Sequence, residues 1–99
     1  MFDRVLRRMR ELVRRRLYVM TGHGQEEMEA DGLTLEDVEH VLLTGEIVER
    51  QKDQQTGEAK YLVEGRSPSD ERTTVVAKTG PTGRLVIITV YLSRSEDES

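Results

Sequence analysis

At 99 residues the chain has room for one domain, and a globule of that size hides only roughly 60 to 70% of the surface its unfolded chain exposes, so a single modest core is all it can build. The absence of cysteine excludes disulfides and thiolate metal sites and fits a reducing cytoplasm, and an apolar run such as residues 85–88 is far too short to cross a membrane. The formal charge of -4 conceals an asymmetry: residues 1–16 carry seven arginines against Asp3 and Glu11, a balance of +5, while the other 83 residues hold 8 basic and 17 acidic groups, a balance of -9.

The first element is a helix. Phe2, Val5, Leu6, Met9, Leu12, Val13 and Leu17 recur at i, i+3, i+4 and i+7, which lays one apolar stripe along a helix over residues 1–17 whose opposite side is arginine. The arginines also interrupt the apolar residues before a secretory signal can form, and the serines of an organellar leader are missing. The plain reading is a helix docked by its stripe with a solvated basic face; the alternative is an RNA-gripping or membrane-surface helix.

Thr21 is placed to cap a short helix that runs through Ala30 and stops at Gly32. Thr34 with Asp37 forms a capping pair, Leu33 staples onto Val38, and the helix that starts there reaches about Leu43 before Gly45 ends it. From Glu46 the period changes to two. Residues 46–52 and 58–65 predict a hairpin around the turn at 53–57, residues 72–78 a third strand, and residues 84–92 a last one. That last strand is apolar on both faces, as a strand in mid-sheet covered on both sides would be. The fold expected is therefore α+β, with N-terminal helices packed on a four-stranded antiparallel sheet: a basic helix at 1–17, the α+β body at 18–92, and a disordered acidic tail at 93–99.

Few residues can carry chemistry. His23 lies in a glycine-flanked helix start, where imidazole can move protons and backbone N–H groups can meet an anion, though a histidine there can also merely assist the cap. His40 falls off the apolar stripe of its helix and reads as a surface residue. His23 with Glu26, Glu27 and His40 matches no strong zinc spacing, so no metal and no cofactor is expected. Lys60, Arg66, Lys78 and Arg84 are cations on or beside the sheet, and Arg66 with Lys78 can clamp a phosphate if they converge on one face. Thr89 and Tyr91 share a face by alternation and bring hydroxyls into an apolar run, so they either line a site or simply top the core.

The run from Tyr18 to Leu92 resembles the bacterial domain of unknown function 4258 family. The likeness rests on Thr21-Gly22-His23, Glu27-Met28, Asp31 to Thr34, Val38, the Thr44 to Ile47 helix exit, Lys60 to Arg66, and Leu85 to Tyr91. It spans about three quarters of the chain and leaves out the basic helix. The resemblance implies kinship with RelE-like and MqsR-like toxins of barnase-like fold, and so a cytoplasmic, metal-free endoribonuclease of the toxin–antitoxin type. In that reading an RNA 2′-OH attacks the adjacent phosphate, His23 is acid or base, Arg66 and Lys78 stabilise the phosphorane, and Thr89 and Tyr91 position the substrate. Arg7, Arg8, Arg14, Arg15 and Lys60 would hold RNA, possible ribosome-bound mRNA included, a zinc-ribbon antitoxin would be the protein partner, and neither membrane nor DNA would be contacted directly. The alternative is a non-catalytic protein- or RNA-binding module of the same fold, since an acidic body is unusual for a protein that grips phosphates.

Overall fold

The structure, a computed structural model, describes residues 1–93; from residue 94 the acidic tail expected to be disordered lies outside the described residues. Helix α1 spans Asp3–Arg14 and buries Met9, Leu12 and Val13, the centre of the apolar stripe. It ends in a Schellman motif: the Arg16 N–H donates to Val13 O (3.0 Å) and the Leu17 N–H to Leu12 O (2.8 Å), with Arg16 in the left-handed region at φ 56. Strand β1 (Tyr18–Met20) follows, then α2 (Gly22–Ala30), capped by Thr21, and α3 (Leu35–Thr44), opened by the Thr34–Asp37 capping box. Strands β2 (Glu46–Lys52), β3 (Ala59–Arg66), β4 (Arg72–Thr79) and β5 (Leu85–Leu92) complete the chain.

The α+β class holds, but the sheet differs from the expected one. It has five strands in the order β1-β5-β4-β3-β2, and it is mixed: β1 pairs parallel to β5, Tyr18 opposite Leu85 and Met20 opposite Ile87. Three residues are too few to display a period of two, and their partner lies more than sixty positions away, so local pattern cannot reveal the pairing. The remaining pairs are antiparallel, with bulges at Val48 in β2 and at Ile88 in β5.

One face of the sheet carries Ile47, Tyr61, Val63, Val75, Ala77, Leu85, Ile87 and Val90, and these join Met9, Leu12, Val13, Met28, Leu33, Val38, Val41 and Leu42 in a single core. Every buried apolar side chain of the three helices belongs to that core. The opposite face, with Leu62, Thr74, Val76, Val86, Thr89 and Tyr91, receives none of them. The last strand is thus interior to the sheet but covered on one side only, and Val86 and Ile88 remain half-buried.

Three ties fix the helical layer. Arg10 donates from Nη2 to Gly45 O (2.7 Å) and from Nε to Leu42 O (3.3 Å), closing the carbonyl end of α3. The exit of α3 crosses β3 so closely that a Cβ at Gly45 would stand 2.5 Å from Glu64 O and 2.7 Å from Val41 O. Tyr18 donates its hydroxyl to Glu39 Oε2, joining β1 to α3. Burial first, then that hydrogen bond and the Glu39 charge, push the Tyr18 hydroxyl up to about 12.

Gly45→Ala should therefore lower stability by about 1 to 3 kcal/mol in urea unfolding, because backbone must move, whereas Gly22→Ala, which meets open space, should be neutral or slightly stabilising. A raised Tyr18 pKa contributes stability that is complete below the ordinary tyrosine range near 10 and is lost as pH rises towards about 12. The wild type should accordingly lose stability between those limits more steeply than Tyr18→Phe, as followed by unfolding at a series of alkaline pH values.

Candidate functional site

The start of α2 is built against the outer edge of β5. Thr21 donates its N–H to Ile87 O (2.9 Å), donates its hydroxyl to Ile88 O (3.0 Å) and accepts from the Gly24 N–H (3.0 Å), so one residue extends β1, ties the bulge and caps the helix. Gly24 then lies on the strand: a Cβ there would stand 3.0 Å from Ile88 O. At the far end Asp31 accepts the Leu92 N–H at 3.0 Å. The helix thereby covers the edge that β1 is too short to pair.

This placement orients His23. At roughly 100° per residue, Met28 turns about 40° from Gly24 into the core, while Glu27 and His23 turn about 60° and 100° the other way, to the rim of the uncovered sheet face. There His23 Nε2 meets Glu27 Oε1, with the two side chains 68% and 33% exposed. The i, i+4 spacing that pairs them is visible in the sequence, and Glu27 is the functional candidate that a search for metal spacing passes over. The amides of Gly22 and His23, in the first turn, find no acceptor among the described residues, as helix starts do unless capped. Beside this rim, Thr89 and Tyr91 face the uncovered side, opposite Val76 and Thr74, as their spacing predicts. Thr74 is buried and its hydroxyl meets that of Ser93.

The cations do not converge. Arg66 pairs with Arg72 in the β3–β4 register, whereas Lys78 lies six residues further along β4, about 20 Å away on the same face. Each is held locally: Arg66 by the Asp70 carbonyl (3.1 Å) and carboxylate (3.7 Å), and Lys78, with 16% of its side chain exposed, by Glu58 Oε1 at 3.2 Å. Continuing the register by one residue brings Lys60 beside Lys78 instead. Asp53 completes that group, its carboxyl held below the usual range by the Gln55 and Thr56 N–H groups, with smaller contributions from Lys78 and Lys60.

Arg7, Arg8, Arg14 and Arg15 are exposed on α1, in the helical layer and thus away from the His23 rim. Arg10, in contrast, lines a cleft of about 500 Å³ with Phe2, Leu6, Gly45 and Ile47, where its guanidinium is occupied by the carbonyls of α3. None of the predicted catalytic residues lines that cleft. His40 is exposed. Among the described residues no group of three or more His, Asp or Glu side chains is arranged to hold a metal ion, and no helix is long and apolar enough to cross a membrane.

A family model described as a domain of unknown function (DUF4258) matches residues 20–92. No curated protein and no solved structure matches the chain. The matched span runs from the end of β1 to the end of β5, so it contains the His23 rim and the uncovered sheet face but not α1.

Thr21→Val keeps the side-chain shape and removes both hydroxyl contacts. It should cost about 1 to 2 kcal/mol in urea unfolding, with Thr21→Ser restoring most of the loss.

Proposed function

Starting from the fact that the chain belongs to the DUF4258 family, we propose that it is a toxin-type endoribonuclease of RelE-like, barnase-related kind, acting on RNA in the cytoplasm beside a zinc-ribbon antitoxin. The observation that carries this reading is the His23–Glu27 pair at an open helix start, on the rim of a sheet face that none of α1, α2 and α3 covers. In the proposed reaction His23, oriented by Glu27, takes the proton of an RNA 2′-OH as that oxygen attacks the adjacent phosphorus. The bond to the 5′-oxygen breaks, a 2′,3′-cyclic phosphate forms, and a proton returned by imidazolium or water completes the 5′-OH. The charge on the phosphorane is met by the free amides of Gly22 and His23 at the positive end of α2, where an added Cβ at Gly22 would find no atom within 4 Å. Thr89 and Tyr91 offer hydroxyls to sugar or base on the uncovered face. Arg66 and Lys78 take no joint part, since each is paired with a carboxylate at its own end of the sheet.

One observation favours a second reading, a non-catalytic RNA- or protein-binding module: among the described residues the partner of His23 is a carboxylate, and Arg66 and Lys78, the cations expected to share the phosphorane charge, are each paired with other carboxylates. Incubation of the purified chain with RNA separates the two. Cleavage should leave a cyclic phosphate and fall by about 10²- to 10⁴-fold in His23→Ala, less in Glu27→Gln, and little in Arg66→Ala. Cleavage indifferent to His23→Ala would remove this site. RNA bound but never cut, with or without ribosomes, would establish the binding module, and growth arrest on induction, relieved by a co-expressed zinc-ribbon protein, would support the toxin assignment.

A further inference from the structure

We propose that the arginine face of α1 is a second RNA-binding surface, on the opposite side of the molecule from the His23 rim, which grips the phosphate backbone of a folded RNA. The inference rests on RNA being the ligand, and it extends that reading to a part of the chain outside the family match.

Successive residues of a helix turn by roughly 100°, so Arg4, Arg7, Arg8, Arg14 and Arg15 fall in one arc about 120° wide. The buried residues Met9, Leu12 and Val13 occupy the opposite arc. The arc runs the length of a helix about 18 Å long. Only Glu11 interrupts it, pairing with Arg8 at 3.3 Å and Arg15 at 3.6 Å, and Arg4, Arg7 and Arg14 have no carboxylate within 4 Å among the described residues.

Two plainer explanations fail on the same facts. A helix face kept merely soluble would mix signs and use lysine, whereas residues 1–16 hold seven arginines and no lysine. A basic arm neutralised by its own acidic body would show contacts between the two. Among the described residues only Glu39 of the body's carboxylates approaches an arginine of this segment, Arg16, at 4.0 Å, and none reaches the arc. What remains is a row of guanidinium groups facing outward, the side chain best suited to phosphate.

The placement adds a consequence. Because α1 packs on the helical side and the His23 rim opens on the other face, one RNA engages both only by reaching around a body whose smallest dimension is 27 Å. A tetranucleotide at the rim should not sense α1; a folded RNA should.

The test uses the full chain carrying His23→Ala, to prevent turnover, and a long fluorescent RNA hairpin. Adding Arg7→Glu and Arg14→Glu, with folding checked by circular dichroism, should weaken hairpin binding about tenfold or more at low salt and reduce the slope of log affinity against log salt by about 2. Glu11→Gln should tighten binding. In the catalytically intact chain the same Arg7→Glu, Arg14→Glu pair should lower kcat/KM for the hairpin by a larger factor than kcat/KM for a tetranucleotide. Hairpin affinity that is absent, or is the same with and without the two reversals, overturns the proposal, as does an equal loss on the tetranucleotide. So does self-association of the parent that the reversals abolish while RNA affinity stays the same, because the arc then serves a second copy. Failure of the ribonuclease reading looks different: α1-dependent hairpin binding persists while no RNA is cut.

Discussion

The outer edge of β5 is the constraint on which the rest of the arrangement depends. A strand in this sheet must satisfy two rows of backbone groups, and β1 pairs only with residues 85–87 before the chain turns away. Beyond that point the carbonyl of Ile88 and the N–H of Leu92 are met by side chains, the Thr21 hydroxyl and the Asp31 carboxylate, at the two ends of α2. A helix can lie that close to a strand edge only where it has no side chain to interpose, and Gly24 is the residue in contact. Left unpaired, the part-buried Ile88 carbonyl would cost about 1 kcal/mol or more, whereas the Leu92 N–H lies where water can reach it. The position of α2 is therefore dictated by the backbone, and His23 inherits its place on the rim from it.

The basic helix is held by burial and not by charge. Fully burying a side chain such as Met9, Leu12 or Val13 is worth roughly 1.5 to 3 kcal/mol, whereas an exposed pair such as Arg8–Glu11 contributes at most about 1 kcal/mol. Arg10 is the one arginine of the helix spent on structure, its fork matched to the Leu42 and Gly45 carbonyls. Because docking requires so little of the remaining arginines, their charge is free to act outward. The same economy explains why the acidic body does not draw them in: the apolar stripe sets the rotation of α1, and that rotation turns the arginines away from the sheet.

Much of this was legible in the residues. The Thr34 capping box, the Gly45 exit, the hairpin of β2 and β3 and the alternation that puts Thr89 and Tyr91 on one face all follow from local rules, and local rules decide them. Strand β1 did not announce itself, since three residues carry no period and the parallel partner is remote in sequence. The apolar character of β5 suggested two covered faces. Its second face is instead held by neighbouring side chains of the same sheet, among which Val76 is 7% exposed with none of α1, α2 and α3 above it. Glu27 was present as the i+4 neighbour of His23, but only the docking of Gly24 shows which way the pair points.

The separation of Arg66 from Lys78 shows what alternation cannot tell. Two residues on adjacent antiparallel strands share a face when their register allows, yet each step that lengthens one strand toward the turn shortens the other, so Arg66 meets Arg72 and Lys78 is carried to the opposite end. The charges of the uncovered face are consequently divided: Glu64 lies 3.8 Å from Arg72 at one end, Glu58 is paired with Lys78 at the other, and Leu62, Val76 and Thr89 lie between. A neutral middle with a hydroxyl suits a base or a sugar better than a phosphate, which among the described residues has neither a free cation nor an unpaired amide to approach there. In the RNA reading the phosphate belongs at the rim, over the start of α2, and the dipole of that helix with its free amides must do what the two cations were expected to do.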